Sequence, residues 1–299
     1  MVSLNGFFGQ VHGVTSLLAL SVNTIFWCSL LFVVTFFKLV IPVAGWRRMI
    51  SGLCDRMATC WIWGNNTWIN LTKQVQWEVQ GLSGLNPKGW YLVMSNHQSW
   101  LDIVVLQKVF YRKIPFLKFF LKKELIWVPF LGQAWWALDF PFMKRYSRSY
   151  LEKHPERKGQ DLATTRQACA KFKKLPVTIM NFVEGTRFTA AKALKQGSPY
   201  RHLLKPKAAG VAFVLGAMGD YLTNILDVTI SYPEVTKGLW AFMCGRVRKI
   251  KVVVETIPIT SDLLGDYIRD LDFQRRFQTW INEIWGEKDK MLQTFQEKT

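Results

Sequence analysis

The chain has 299 residues, is 49% hydrophobic with 14 Trp and 21 Phe, and carries a net charge of +18 from 39 Lys and Arg against 21 Asp and Glu. This apolar content excludes a disordered chain and allows one large domain with a membrane-attachment segment, or at most two modest domains. The basic balance calls for anionic partners, and aromatic residues together with Lys and Arg make a lipid surface, not nucleic acid, the expected one.

The first predicted element is apolar. No charged residue occurs from Gly13 to Phe37, about 25 positions, enough to cross a hydrocarbon layer of roughly 30 Å. Lys38, Arg47 and Arg48 follow it and no Lys or Arg precedes it, so the positive n-region of a secretory signal is missing. Two arrangements fit: a single span, which is preferred, and a helical hairpin in one leaflet. The hairpin would break at Pro42 and Gly45, with Trp46, Trp61, Trp63 and Trp68 at the interface. In both, the positive-inside rule leaves the rest of the chain in the cytoplasm.

Beyond residue 70 short apolar runs alternate with helical stretches. Val75–Val79, Trp90–Ser95, Val177–Val183, Ile225–Tyr232 and Lys251–Ile257 read as strands. Leu101–Phe110, Asp161–Lys174 and Pro206–Met218 read as helices, and Asp262–Gln296 as an amphipathic helix packed on the core or on the membrane. The expected organisation is an anchor over 1–70, an α/β domain with a largely buried sheet flanked by helices over 71–260, and a helical segment over 261–299. The five cysteines (Cys28, Cys54, Cys60, Cys169, Cys244) form no Cys-x-x-Cys pair, which argues against a disulfide framework or a zinc site and for reduced thiols.

Of the four histidines only His97 has a carboxylate five residues on, in Asn96-His97-Gln98-Ser99-Trp100-Leu101-Asp102. On an ideal helix positions i and i+5 differ by about 140° and do not face each other. The pair meets only if His97 sits in the turn between the Trp90–Ser95 strand and the following helix, with Asp102 reaching back. Asp102 would then fix the Nδ1 proton and leave Nε2 as a free base, while Asn96 and Ser99 hold the turn. The chain has no Gly-x-Ser-x-Gly, His-Glu-x-x-His, Gly-x-x-x-x-Gly-Lys-Ser/Thr or Gly-x-Gly-x-x-Gly motif. A base without an enzyme nucleophile points to direct transfer, with the acceptor's own hydroxyl attacking.

Two further constellations suit a phosphate monoester. Glu184-Gly185-Thr186-Arg187 follows the Val177 strand: Gly185 admits close backbone approach, Thr186 and Arg187 supply donors, and Glu184 accepts from a hydroxyl or holds Arg187. In the stretch from Lys123 to Arg145 a basic residue closes the pocket from the other side. Arg145 is preferred to Lys144, since a planar fork binds phosphate bidentately.

In this order and spacing, the three constellations resemble the lysophospholipid acyltransferase (PlsC-like) family. Asn96-His97 through Asp102 matches its His-x-x-x-x-Asp block, Lys123 to Arg145 its second, and Glu184-Gly185-Thr186-Arg187 its Glu-Gly-Thr-Arg block. Leu204–Gly210 and Ser231-Tyr232-Pro233 share the role of the fourth. Trp127–Gly132, Pro141–Arg148 and His154–Arg157 resemble the YihG-type bacterial inner-membrane branch. The resemblance implies a glycerolphosphate-acyltransferase-like fold and transfer of an acyl chain from acyl-CoA or acyl carrier protein to the sn-2 hydroxyl of lysophosphatidic acid or another lysolipid. It implies no metal or prosthetic group, Arg145 and Arg187 on the phosphate, and backbone donors on the oxyanion. Outside this family, a membrane-tethered basic protein without chemistry would share the composition.

Overall fold

The computed structural model describes residues 4–143, 160–173, 175–233 and 238–297. Helices α1 (Leu4–Val40) and α2 (Ala44–Thr72) form an antiparallel pair. The break falls at Ile41-Pro42-Val43, where Pro42 lacks the N–H that would continue the helix and biases the preceding residue away from helical backbone. Polar stitches join the two helices. Asn23 donates to the Trp61 carbonyl at 2.9 Å and to Asn65 Oδ1 at 2.8 Å, and Trp61 Nε1 donates to Thr24 at 3.0 Å. Gly64 makes room for Asn23, because a Cβ there would lie 2.6 Å from the Asn23 amide oxygen.

Among the described residues α1 is the one helix long and apolar enough to cross a membrane. Phe7, Phe8, Leu18, Val22, Phe26, Val33 and Phe36 lie exposed along it, a surface suited to lipid. Both ends of α1 are nonetheless tied to the rest of the protein. Near its start, Gln10 accepts from Trp240 Nε1 at 3.1 Å, and the buried Lys73 ammonium joins His12 (2.7 Å) and Ser16 (2.6 Å). Near its end, Lys38 pairs with Asp139 at 2.7 Å, to which Ser51 of α2 also donates at 2.9 Å. Helix α4 (Leu131–Ala137) packs Ala134 and Ala137 against Cys28, Leu31, Ile50 and Cys54 of the pair.

The rest of the chain is built on a six-stranded sheet. Its strands are β1 (Gln76–Gln80), β2 (Tyr91–Ser95), β3 (Leu117–Phe119), β6 (Thr178–Phe182), β7 (Asn224–Ser231) and β8 (Lys249–Pro258), in the order β1-β8-β7-β2-β6-β3. All neighbours are parallel except β7 and β8. Two-residue strands β4 (Leu121–Lys122) and β5 (Phe142–Met143) pair separately. Central β2 is buried at every position because helices cover both faces, and its alternating side chains divide between two cores. Tyr91 and Val93 meet Leu101, Val105 and Leu106 of α3 (Leu101–Val109). Leu92 and Met94 pack in the core shared by α5 (Gln160–Phe172), α7 (Ala208–Met218) and α9 (Leu271–Glu297).

The α/β class with a buried sheet and an apolar N-terminal helix is as expected, and the strands fall within two residues of their expected bounds. Of the two seats offered to the amphipathic C-terminal stretch, α9 takes the core one: Phe273, Phe277, Ile281, Trp285 and Leu292 are buried. Sequence did not indicate β3, β4, β5, α4, or the short helices α6 (Ala190–Gln196) and α8 (Leu239–Met243). All five cysteines are free, and only Cys60 is exposed.

Candidate active site

The carbonyl ends of the parallel strands β2, β6 and β7 lie side by side, and the chain delivers a functional loop at each, as α/β sheets do at their ligand sites. Leaving β2, Asn96 turns back on β7: its Nδ2 donates to the Ile230 carbonyl and its Oδ1 accepts the Ile230 N–H, both at 2.9 Å. His97 follows in the turn before α3, and Asp102 occupies the first turn of that helix. Ser99 Oγ accepts the Leu101 N–H at 3.1 Å. The junction thus brings i and i+5 together: His97 Nδ1 lies 2.8 Å from Asp102 Oδ2.

Asp102 is fully buried and heavily solvated by the protein. Its Oδ2 also accepts the N–H groups of Gln98 (2.6 Å) and Ser99 (2.9 Å), and its Oδ1 accepts the Tyr232 hydroxyl at 2.6 Å. Surrounded by donors, this carboxylate is an acceptor only, so chemistry assigns the proton to His97 Nδ1 and the lone pair to Nε2. Among the described residues none is hydrogen-bonded to Nε2. The imidazole lies flat on the Phe182 ring, with centroids 3.9 Å apart and planes 14° from parallel, which fixes its swing. A neutral imidazole so held is equipped to take a proton from a hydroxyl.

At the end of β6, Gly185 adopts φ +70°, a left-handed conformation that favours glycine. The preceding Glu184 is fully buried and does neither of the things the sequence suggested. Its Oε1 accepts the His97 N–H at 2.8 Å and its Oε2 accepts the Leu204 N–H at 2.9 Å. With both oxygens used on backbone, it clamps the histidine turn to the loop before α7 instead of meeting a ligand or Arg187. Burial pushes its carboxyl up to about 7; the N–H groups of Leu204 and His97 oppose that rise, and the Asp102 charge adds to it. The Phe188 N–H closes the junction on the His97 carbonyl at 2.7 Å.

Thr186 and Arg187 are the outward part of the loop. The Arg187 guanidinium lies over the exposed Trp100 ring, 4.7 Å from its centroid, so the cation is held on the solvent side of the loop. Lys192 of α6 donates to Thr186 Oγ1 at 2.9 Å and to the Arg187 carbonyl at 3.0 Å. A Cβ on Gly185 would meet the Lys207 ammonium at 3.2 Å. Arg187, Lys192 and Lys207 therefore surround a small loop beside the base, an arrangement suited to a phosphate. Arg145 and Lys144 lie outside the described residues.

The stretch 76–232, over half of the chain, matches the family model described as Acyltransferase. The chain belongs to the Acyltransferase family. The match spans His97 and Asp102, Glu184–Arg187 and, as its last residue, Tyr232. Similar curated proteins include lysocardiolipin acyltransferase 1 of Danio rerio, 26% identical over 82% of this chain and 62% of the relative. Another is 1-acyl-sn-glycerol-3-phosphate acyltransferase gamma of Homo sapiens, 22% identical over 59% of this chain and 45% of the relative. A third is 1-acyl-sn-glycerol-3-phosphate acyltransferase 3 of Arabidopsis thaliana, 25% identical over 79% and 65%. The chain thus spans less than two thirds of the length of these relatives. Among solved structures, the 1-acyl-sn-glycerophosphate acyltransferase PlsC of Thermotoga maritima aligns with a TM-score of 0.48 at 17% identity, covering 91% of this chain and 97% of that one.

The structure brings His97, Asp102 and the Glu184–Arg187 loop together, and adds four neighbours to which sequence reasoning gave no contact with them. Tyr232, Phe182, Trp100 and Lys192 contact the dyad or the loop. Of these only Tyr232 carried a signal: a phenol at the end of a buried strand needs a partner for its hydroxyl.

Proposed function

We propose that this protein transfers a fatty acyl chain from acyl-CoA or acyl carrier protein to the sn-2 hydroxyl of lysophosphatidic acid, forming phosphatidic acid at the bacterial inner membrane. The observation that carries the reading is His97, held by Asp102 with Nε2 open, beside a basic loop exposed at Arg187. Nε2 takes the proton of the acceptor hydroxyl, the resulting oxygen attacks the thioester carbonyl, and the thiol departs with the proton that His97 returns. The step as written uses no metal or prosthetic group. The phosphate headgroup is supported by the basic side chains around the Glu184–Arg187 loop and by the names of two of the relatives above, and attachment to a membrane by the exposed apolar surface of α1.

Arg187 tests the acceptor. With lysophosphatidic acid, Arg187→Ala should raise the acceptor KM about ten- to a hundredfold, the worth of a charge-assisted hydrogen bond. With monoacylglycerol, which has no phosphate, KM should hardly change. Equal losses on both acceptors would remove the phosphate role and favour an acceptor recognised elsewhere.

The anchor geometry supports the one-leaflet hairpin over a crossing. From Ser16 to Lys38 an α-helix rises roughly 33 Å, about the thickness of the hydrocarbon layer, yet both positions touch the same polar body. Arg47 and Arg48, just past the turn, then lie at headgroup level. In a Cys60→Ser background, Asn5→Cys and Val43→Cys should both be protected from an impermeant maleimide in intact spheroplasts and both react in inverted vesicles. Reaction of one from each side would establish a crossing.

A further inference from the structure

Tyr232 directly follows β7, and two constraints fix where its ring goes. Asn96 grips both the N–H and the carbonyl of Ile230, locking the strand two residues earlier, and residues two apart on a strand share a face. Pro233 then restricts the Tyr232 backbone to extended conformations. Ile230 and Tyr232 accordingly enter the same core as Leu101 and Val105 of α3, and the phenol reaches Asp102 Oδ1 at 2.6 Å from a side chain that is only 4% exposed. A space-filling aromatic would not need this hydroxyl, and a fourth donor on a carboxylate already holding three N–H groups has an electrostatic consequence.

We propose that Tyr232 is a positioning residue of the dyad: by donating to Oδ1 it holds Asp102 in place and weakens the pull of that carboxylate on the His97 proton. The proposal deepens the reading of His97 as the general base and rests on it. Each donor to Asp102 spreads its negative charge and lowers its power to stabilise an imidazolium on the other side. Tyr232 withdraws charge from the oxygen that His97 does not touch, which keeps the base free at lower pH. Burial and the Asp102 charge push the phenol well above its ordinary range, so it remains a donor throughout. Among the described residues, the other charged groups near the pair include Glu184 on the β6 loop, Arg187 over Trp100, and Lys288 of α9, which acts on Glu184. They are common to every variant below.

Selectively labelled full-length protein in detergent allows the His97 imidazole to be titrated by nitrogen NMR, its signal assigned by comparison with His97→Gln. In Tyr232→Phe the midpoint should move up by roughly half to one pH unit, and the acid limb of kcat/KM should move with it. In Tyr232→3-fluorotyrosine, which keeps the hydroxyl and strengthens it as a donor, both should move down. A merely structural role would lower activity without moving either. Midpoints that stay put, or move the same way in both variants, overturn the proposal, and the fluorinated protein carries the test alone should Tyr232→Phe not fold. Opposite midpoint shifts in a protein without acyl transfer would uphold Tyr232's action on the dyad and sink the acyltransferase reading instead.

Discussion

His97→Ala is expected to lower kcat by about 10²- to 10⁴-fold, the usual worth of a positioned general base, with acceptor KM little changed. The substitution is clean because the turn does not depend on the imidazole. Asp102 keeps the N–H groups of Gln98 and Ser99 and the Tyr232 hydroxyl, so no buried charge is stranded. Glu184 grips the backbone N–H of residue 97, which alanine retains. Asp102→Asn is a poorer probe, since its amide would aim a donor at some of the four donors that now converge there. Initial rates with oleoyl-CoA and lysophosphatidic acid decide the matter, alongside a thermal scan showing the variant folded. A rate like wild type would leave a basic membrane protein without this chemistry as the better reading.

The second large effect is on stability. Lys288 of α9 reaches under the sheet to Asp227 of β7 at 3.0 Å, with side chains 1% and 4% exposed. Its ammonium also donates to the Val228 carbonyl at 2.8 Å and to Thr229 Oγ1 at 3.0 Å. Asp227 Oδ1 receives no well-aligned hydrogen bond, so charge holds the pair together. Removing one member strands the other, and Lys288→Met should cost about 3–5 kcal/mol, a fall in Tm on the order of ten degrees. Burial already pushes the Asp227 carboxyl up, against the opposing charge of Lys288; without the lysine, that carboxyl would protonate more readily. Replacing both, Lys288→Met with Asp227→Leu, should recover most of the loss, because two apolar side chains need no partner. A single variant as stable as wild type would show that water reaches the pair.

What could be read from the sequence was what is local. Trp90–Met94 is a continuous apolar run of strand length that follows a glycine and precedes a polar turn, which reads as a buried strand, and the structure places the His97–Asp102 turn directly after it. The Glu184–Arg187 loop was found in the same way, after the β6 strand. Illegible were the contacts that fold between distant segments. Glu184 has the composition of a ligand group, and only the approach of Leu204, twenty residues on, makes it a clamp. Lys118 is buried and paired with Asp55 of α2 at 3.1 Å, a contact that nothing near it in sequence announces. Three-residue β3 contains that lysine and had no period long enough to register. The course of α1 likewise depends on Gln10–Trp240 and Lys38–Asp139, partners some 230 and 101 residues apart.

The clamp formed by Glu184 also separates what is fixed from what is adjustable. Backbone groups of residues 97, 188, 204 and 230 are bonded to one another or to the Asn96 and Glu184 side chains, so the histidine cannot travel to meet a substrate. Arg187 and Trp100 stand outside that mesh, joined to each other and open to solvent. A designer wishing to change what the exposed side of this loop recognises can therefore rewrite positions 100 and 187 while leaving the bonded junction around His97 as it is.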